Sequence, residues 1–492
     1  MRLYIGLDLG TSAVKALALD EQCRVVAEAS AGYPTTSPRP GWAEQDPKDW
    51  TRAAHRVLAD LMSRTPPAAR PHTIALTGQL PTLAVLSPAG QALCPAIVWY
   101  DGRAADEAGR FSLKVDGKTW YRKSGIVLDA HYLAPMYSWL SRHRPAIPVA
   151  PHRVCGAKDA LLHALTGTWY TDPSTASGYG VYDPIAGAWD PLLCDAAGLD
   201  MAVLPAILPP PAVAGGLVAA SGPAARLLEG TPVVVGAGDA LAGVLGSGGA
   251  AAATLAAITG TSTSLVVSTP TPHLDPGCRF LLSPHALPDL WASEMDLMAT
   301  GSALRWLAGI VGADPAALLE RAAAAPPGAH GVVAFPYLAG GEQGALWDPR
   351  APAAFVGMSL STTVEDLARA LVEGITFEMR RCLMVWQEAR VQVREIVLAG
   401  GLAVPFVAAL TAAALAVPVR RAGRTDASAF GAALLAGIGA GAWSIEQARM
   451  HAGTQLGEPV AATEEDTARY TELFGRYERL SAAARAQMQS CE

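Results

Sequence analysis

YIGLDLGTSAVKALALD, residues 4–20, reads as an apolar strand, a Gly-Thr-Ser turn and a second apolar strand. TLAAITGTSTSLVVS, residues 254–268, repeats that arrangement close to half a chain length later. A self-similarity of such long period marks duplicated architecture. A chain of 492 residues also exceeds what a single core usually serves, at roughly 100–200 residues per domain. The prediction is two large domains, residues 1–246 and 247–492, each built around one of the hairpins. Apolar strand-like runs (Thr73 to Thr77, Ala96 to Tyr100, Pro232 to Ala237, Glu395 to Ala399) alternate with helical stretches (Asp49 to Ser63, Lys158 to Leu165, Thr363 to Glu388, Pro405 to Leu415). That alternation is the mark of an α/β fold. The Pro-rich segment Leu204 to Ala214 reads as a surface connection, and Thr463 to Met488 as a long polar C-terminal helix.

Composition narrows the function classes. Hydrophobic residues make up 51% of the chain and charged residues 16%, which supplies packed interiors and argues against a disordered, charged tail. The net charge of -7 disfavours nucleic acid or an anionic membrane as partner, since both call for clustered Lys and Arg. The short basic runs at Arg142 to Arg144 and Arg420 to Arg424 read as solvated turns. The cysteines (Cys23, Cys94, Cys155, Cys194, Cys278, Cys382, Cys491) are scattered, odd in number and never spaced C-x-x-C, which fits a reducing compartment and no disulfide or zinc framework. The first residues reach Asp8 too soon for a signal peptide, so a cytoplasmic protein is expected. The Ala/Gly-rich stretches 240–260 and 402–419 are read as buried core and not as membrane spans.

A Gly-Thr-Ser turn between strands exposes consecutive N–H groups and hydroxyls, a ready cradle for phosphate oxygens. One copy would also suit an ordinary hairpin. Two copies at equivalent places suggest a nucleotide's phosphate chain held from both sides of a cleft. Asp8, in the strand before Gly10-Thr11-Ser12, is placed to orient Mg²⁺ directly or through its waters. Asp239 ends the run TPVVVGAGDA, a buried strand with a Gly-rich turn, and α/β folds bind ligands at the carboxyl ends of strands. A carboxylate there can accept a hydroxyl proton during phosphoryl transfer, or cap the Ala/Leu-rich helix that follows, or both. Gly400-Gly401 sits at a strand-to-helix turn where a nucleotide could approach closely. Gly117-Lys118-Thr119 lacks the first glycine of a P-loop, and Gly437 to Ala442 follows a helix and no strand, so neither is read as a phosphate site. Neither H-E-x-x-H nor G-x-S-x-G occurs.

The ordered series of motifs resembles the FGGY family of carbohydrate kinases, and within it the xylulokinases. It runs from Tyr4–Lys15 through Gly41–Pro47, Ala75–Gln79, Ile97–Arg103, Lys158-Asp159, Gly236–Asp239, Ile258–Ser262, Pro336–Glu342 and Val372–Gly374 to Ala399–Gly401 and Gly431–Ala436. The resemblance implies two ribonuclease-H-like (actin-like ATPase) lobes around a central cleft, with the sugar bound mainly by the first lobe and ATP by the second. It implies Asp239 as general base, Asp8 as Mg²⁺ and phosphate organiser, and Gly10, Thr11, Ser12 and Lys15 near the transferred phosphoryl. Gly260, Thr261, Ser262, Gly301, Gly400 and Gly401 would line the nucleotide. Gln79, Leu80, Pro81, Asp101 and Arg103 would belong to or support the sugar side. A homodimer is expected on the resemblance alone.

Xylulokinases usually carry Met-His where this chain has Leu80-Pro81, and Asn where it has Ala240, so two polar sugar contacts are missing. The polar residue often found four places after the second glycine is Pro405 here. Three readings follow: an ATP-dependent kinase for a small ketose or polyol, a nucleotide-dependent regulatory protein of the same fold, and a glycerol kinase.

Overall fold

The computed structural model describes residues 1–218 and 229–489, which leaves Cys491 outside the described residues. Two six-stranded sheets organise the chain. The first contains β1 (Arg2–Leu9), β2 (Ala13–Leu19), β3 (Val25–Gly32), β4 (Arg70–Gly78), β5 (Val213–Gly216) and β6 (Pro232–Gly238), in the order β5-β6-β4-β1-β2-β3. The second contains β7 (Thr254–Thr259), β8 (Thr263–Thr269), β9 (Leu281–Pro284), β10 (Trp291–Leu297), β11 (Glu395–Gly400) and β12 (Val419–Arg421), in the order β9-β10-β8-β7-β11-β12.

Removal of the edge strands β5 and β9 leaves the same frame twice. β3-β2-β1 and β10-β8-β7 are antiparallel meanders, and β1-β4-β6 and β7-β11-β12 are parallel. The central strands β1 and β7 carry near-continuous apolar runs because they are covered on both faces, as parallel strands require. This is the actin-like α/β fold of two related halves.

Each outer face has its own core. Helices Pro47–Ser63 and Ala157–Thr166 cover the first sheet, and helices Val364–Glu388 and Pro405–Leu415 the second. The helix starts follow from local chemistry. Asp46 caps Lys48 N ahead of Pro47, and Thr363 exchanges capping hydrogen bonds with Asp366. Between the sheets lie two small-residue helices, Asp239–Gly246 and Ala427–Gly439. A methyl on Gly246 would overlap the Ala427 carbonyl oxygen, and one on Gly431 the Ala242 carbonyl oxygen, so the two backbones touch. Tyr4, Leu17, Ala75 and Val234 of the first sheet and Ala256, Val266 and Ala292 of the second close onto this pair.

Two segments differ from their sequence reading. Ala96 to Tyr100 is a strand only at Ala96–Ile97, paired antiparallel with Glu44–Gln45; Val98 N carries that pairing on to Ala43 O, and Asp101 N then bonds back to Val98 O, which turns the chain. The Pro-rich Leu204–Ala214 segment contributes the short strand Ala206–Ile207 and the start of β5, which pairs antiparallel with β6. Among the described residues no helix is long and apolar enough to cross a membrane. The stretch 240–260 is divided between a helix and β7, and 402–419 holds the helix Pro405–Leu415.

Candidate active site

Above the inter-lobe core, the facing surfaces of the two sheets change together from apolar to polar. On the first sheet the inner face runs from Tyr4 and Leu19 through Gly6 and Leu17 to the cross-strand pair Asp8 and Lys15. On the second it runs from Ala256 and Val266 to Ile258 and Ser264, with Glu294 and Asp296 beside them on β10. The two Gly-Thr-Ser turns close this cleft at the same end of the equivalent hairpins. They are not identical. Leu9 pairs with Val14 whereas Thr259 pairs with Thr263, so the first loop is one residue longer.

The first loop is held from beneath. Trp99 Nε1 donates to Thr11 Oγ1 (3.1 Å), Gln45 Nε2 to Thr11 O (2.8 Å) and Tyr33 OH to Gly10 O. Gln79, only 1% exposed, donates to Gln45 Oε1 at 2.8 Å, so it props this loop from inside the lobe. Ser12 and Lys15 stay exposed. In the second lobe, Thr261 O accepts from Ser302 N (3.0 Å), and Thr261 Oγ1 from Arg305 Nη2 (3.0 Å). Gly301 and Gly400 must be glycine. A methyl on Gly301 would overlap Gly260 O, and Gly400, at φ +84°, would drive one into Thr259 O. Gly401 has open space where its side chain would be. Gly260, Thr261, Ser262, Gly301, Gly400 and Gly401 therefore gather at one end of the second sheet.

Two carboxylates, Asp8 and Asp239, stand near enough for the charge of one to act on the other. Asp8 is 8% exposed, its Oδ1 is buried without a hydrogen-bond partner, and burial pushes its carboxyl up to about 6 against the pull of Lys15. Asp239 opens the helix that follows β6, and its Oδ1 accepts from Ala240 N at 2.9 Å. Burial first and the charge of Asp8 second push it up to about 8. Its backbone is fixed from both halves. Ser174 Oγ accepts from Gly238 N (2.9 Å), buried Lys158 donates to Val235 O (3.2 Å), and Ser428 Oγ donates to Asp239 O (3.0 Å).

The residues expected on the sugar side divide into two groups. Leu80 and Pro81 form an apolar wall next to Asp239; a methyl on Gly238 would stand 2.6 Å from Leu80 Cδ2. Asp101 and Arg103 are sealed inside. The Asp101 carboxylate accepts from Arg103 and Ala43 N, while Arg103 also pairs with Glu44 (2.7 Å) and stacks 3.8 Å over the Trp42 ring. They fix the 41–44 segment and do not open to the cleft.

Four further groups escape the sequence reading: Glu294, Asp296, Arg305, and Tyr132 with its neighbouring Asp129–His131 pair. Glu294 accepts from Ser264 Oγ (2.6 Å). Burial raises both the Glu294 and Asp296 carboxyls, and Glu294 and Asp239 raise Asp296 further. Burial above all, and then the charges of Asp129 in its own lobe and of Glu294 and Asp296 in the other, raise the Tyr132 phenol well above the usual range. The alternation Ala-Ser-Glu-Met-Asp-Leu in β10 was the available signal for the two carboxylates.

Residues 3–246 match the N-terminal domain of the FGGY family of carbohydrate kinases, and residues 255–440 its C-terminal domain. The chain is 30% identical over 406 residues to xylulose kinase of Escherichia coli (strain K12), which covers 81% of this chain and 82% of that protein. It is 27% identical over 390 residues to gluconokinase of Bacillus licheniformis, with 76% and 75% covered. The crystal structure of xylulose kinase from Rhodospirillum rubrum superposes with a TM-score of 0.90 at 30% identity, covering 99% of this chain and 100% of that one.

Proposed function

The chain belongs to the FGGY family of carbohydrate kinases and is an ATP-dependent sugar kinase, and from that premise we propose that it phosphorylates a hydroxyl of a small ketose or polyol, xylulose among the candidates, with Asp239 as general base. What supports this reading is that Asp239, at the end of β6 and the start of the following helix, lies within the influence of the Asp8 charge, just before the first Gly-Thr-Ser loop.

In this reading the first lobe, residues 1–246, mainly holds the sugar and the second, residues 247–492, mainly holds ATP. The acceptor hydroxyl gives its proton to the Asp239 carboxylate as its oxygen bonds to the γ-phosphorus. The bond from that phosphorus to the bridging oxygen breaks, and ADP leaves. A base with its midpoint near neutrality is matched to such work. N–H groups and hydroxyls of Gly10, Thr11 and Ser12 from one lobe and Gly260, Thr261 and Ser262 from the other bind phosphate oxygens. Lys15 and Arg305 supply positive charge where negative charge is spread over the transferred group.

Asp8 suits Mg²⁺. Its Oδ1 is buried without a partner, and no cluster of three or more His, Cys, Asp or Glu among the described residues forms an all-protein metal cage. Mg²⁺ is typically held by one or two carboxylates, waters and substrate phosphates. When bound, it neutralises charge on the phosphate oxygens.

The test is ADP release from MgATP against a panel of pentuloses, hexuloses and polyols, by wild type and Asp239→Asn. At least one acceptor should stimulate release, and Asp239→Asn should lower kcat by about 10²–10⁴. Full activity in Asp239→Asn, or no response to any acceptor, would refute the assignment.

A further inference from the structure

Four strands of the first sheet reach the cleft on a single row. Asp8 of β1 lies opposite Lys15 of β2 on one side and Thr77 of β4 on the other, and Thr77 lies opposite Ala237 of β6. The row faces the second lobe: Ala75, two residues before Thr77, and Ala237 both belong to the inter-lobe core, whereas Ile74 and Leu76 point into the outer core. Asp8 and Thr77 therefore stand side by side on one face, with their strands about 4.8 Å apart. The pairing continues up to the first Gly-Thr-Ser loop, where Gln79 N donates to Leu9 O at 2.8 Å.

Two oxygens of this row have no partner. Thr77 Oγ1 is buried and makes no hydrogen bond, and Asp8 Oδ1 on the neighbouring strand is in the same condition. The two residues are 0% and 8% exposed. Ala237, next along the row, brings only a methyl. A buried oxygen without a hydrogen bond is costly, and an ion or water at the site removes that cost. A hydroxyl and a carboxylate are hard oxygen groups of the kind Mg²⁺ takes, directly or through its waters, and P-loop nucleotide hydrolases hold Mg²⁺ with one Ser or Thr and one Asp. Resting on the kinase reading above, we propose that Thr77 is a positioning residue for the nucleotide's divalent cation: its hydroxyl and Asp8 Oδ1 together hold that cation or a water bound to it. Two strands then fix the cation, one leading into the first Gly-Thr-Ser loop and the other paired with the strand that runs into Asp239.

Dissociation constants for ADP, measured by isothermal titration with excess Mn²⁺ and again with EDTA, test this apart from turnover. Mn²⁺ should tighten ADP at least about tenfold in the wild type, within the usual range of coupling between two ligands. Thr77→Val keeps the shape and removes the hydroxyl. It should weaken ADP by about tenfold or more with Mn²⁺, as loss of a group that orients a metal's shell does, and by less than about twofold with EDTA. Thr77→Ser keeps a hydroxyl and should keep the gain. Because the Thr77 hydroxyl bonds to no protein group, the metal-free Tm of Thr77→Val should match or exceed that of the wild type. The proposal is overturned by an undiminished gain in Thr77→Val, by equal losses with and without metal, or by a Thr77→Ser variant that behaves like Thr77→Val. A metal-free Tm lowered by more than about 3 °C, or a wild type indifferent to Mn²⁺, overturns it as well. If the Mn²⁺ pattern appears but no acceptor is phosphorylated, the general-base reading fails and the cation assignment stands.

Discussion

Replacement of Lys158 by Met tests how the fold holds its catalytic strand. Lys158 Nζ lies 3.0 Å from Asp159 Oδ1 and 3.1 Å from Asp172 Oδ2, with all three side chains at most 1% exposed, and it donates to Val235 O at 3.2 Å. Met fills nearly the same volume, removes the one cation between two buried carboxylates and orphans a strand carbonyl. Loss of one member of a buried ion pair costs about 3–5 kcal/mol. The carboxylates keep other donors, Tyr179 OH on Asp159 and the Ser174 and Thr175 hydroxyls and amides on Asp172, which holds the loss near the middle of that range. At about 2–4 °C per kcal/mol for a domain of this size, a drop of roughly 8–16 °C in Tm is expected. Lys158→Met with Asp172→Asn removes one of the two stranded charges and should recover part of it. The effect should reach the chemistry, because Asp172 orients Ser174, which holds Gly238 N directly before Asp239. A displacement of about 1 Å at a reacting group can lower the rate by about 10²-fold, so kcat should fall at least tenfold while the KM for ATP changes little. Thermal melts followed by circular dichroism, with steady-state kinetics at a temperature where each variant is folded, give both numbers. A Tm within about 3 °C of wild type, or a double variant no more stable than the single one, would refute the reasoning.

Asp239, held at about 8, must lose its proton to act as base, so kcat/KM for the acceptor should rise roughly tenfold per pH unit below about 8 and level off above it. Asp8→Asn removes a like charge that raises Asp239, so the midpoint should move to lower pH; a flat profile, or a move upward, would contradict the assignment. Gly246→Ala places a methyl against the Ala427 carbonyl oxygen and forces the two inter-lobe helices apart. It should destabilise the protein by about 1–3 kcal/mol in denaturant melts and lower kcat, and a neutral result would show that these helices separate freely.

The doubled frame was legible because Gly-Thr-Ser interrupts two apolar alternations, a signal carried by a few adjacent residues. The starts at Thr363 and Pro405 were legible for the same reason, since both residues act on their own neighbours, whereas the first helix starts at Pro47, capped by Asp46, two residues before the Asp49 of the sequence reading. What the sequence hid was direction. Gln79, Asp101 and Arg103 are polar residues near a sugar-side motif, yet their partners, Gln45, Ala43 and Glu44, lie 34 to 59 positions away and turn them inward. Alternation in β10 marks Glu294 and Asp296 as sharing a face, but only the packing of the two sheets shows that this face looks at Asp239. The Ala96–Tyr100 run is a strand at Ala96–Ile97 alone, because Asp101 N bonds back to Val98 O and turns the chain where local propensity would let the strand continue.

The one-residue difference between the loops explains why a duplicated frame need not make a symmetrical site. At equivalent rows of the two inner faces, the first sheet presents Asp8 opposite Lys15, and the second presents Ile258 opposite Ser264, with Asp296 next along. The first row carries a cation and a carboxylate beside its phosphate loop. The second carries no cation, and leaves that charge to Arg305 on the following helix, next to Thr261. Positive charge thus sits by the loops, while the floor carries carboxyl groups that burial pushes toward their protonated forms. An exact repeat of the first hairpin, register included, would have placed a lysine where Ser264 stands, within reach of Glu294.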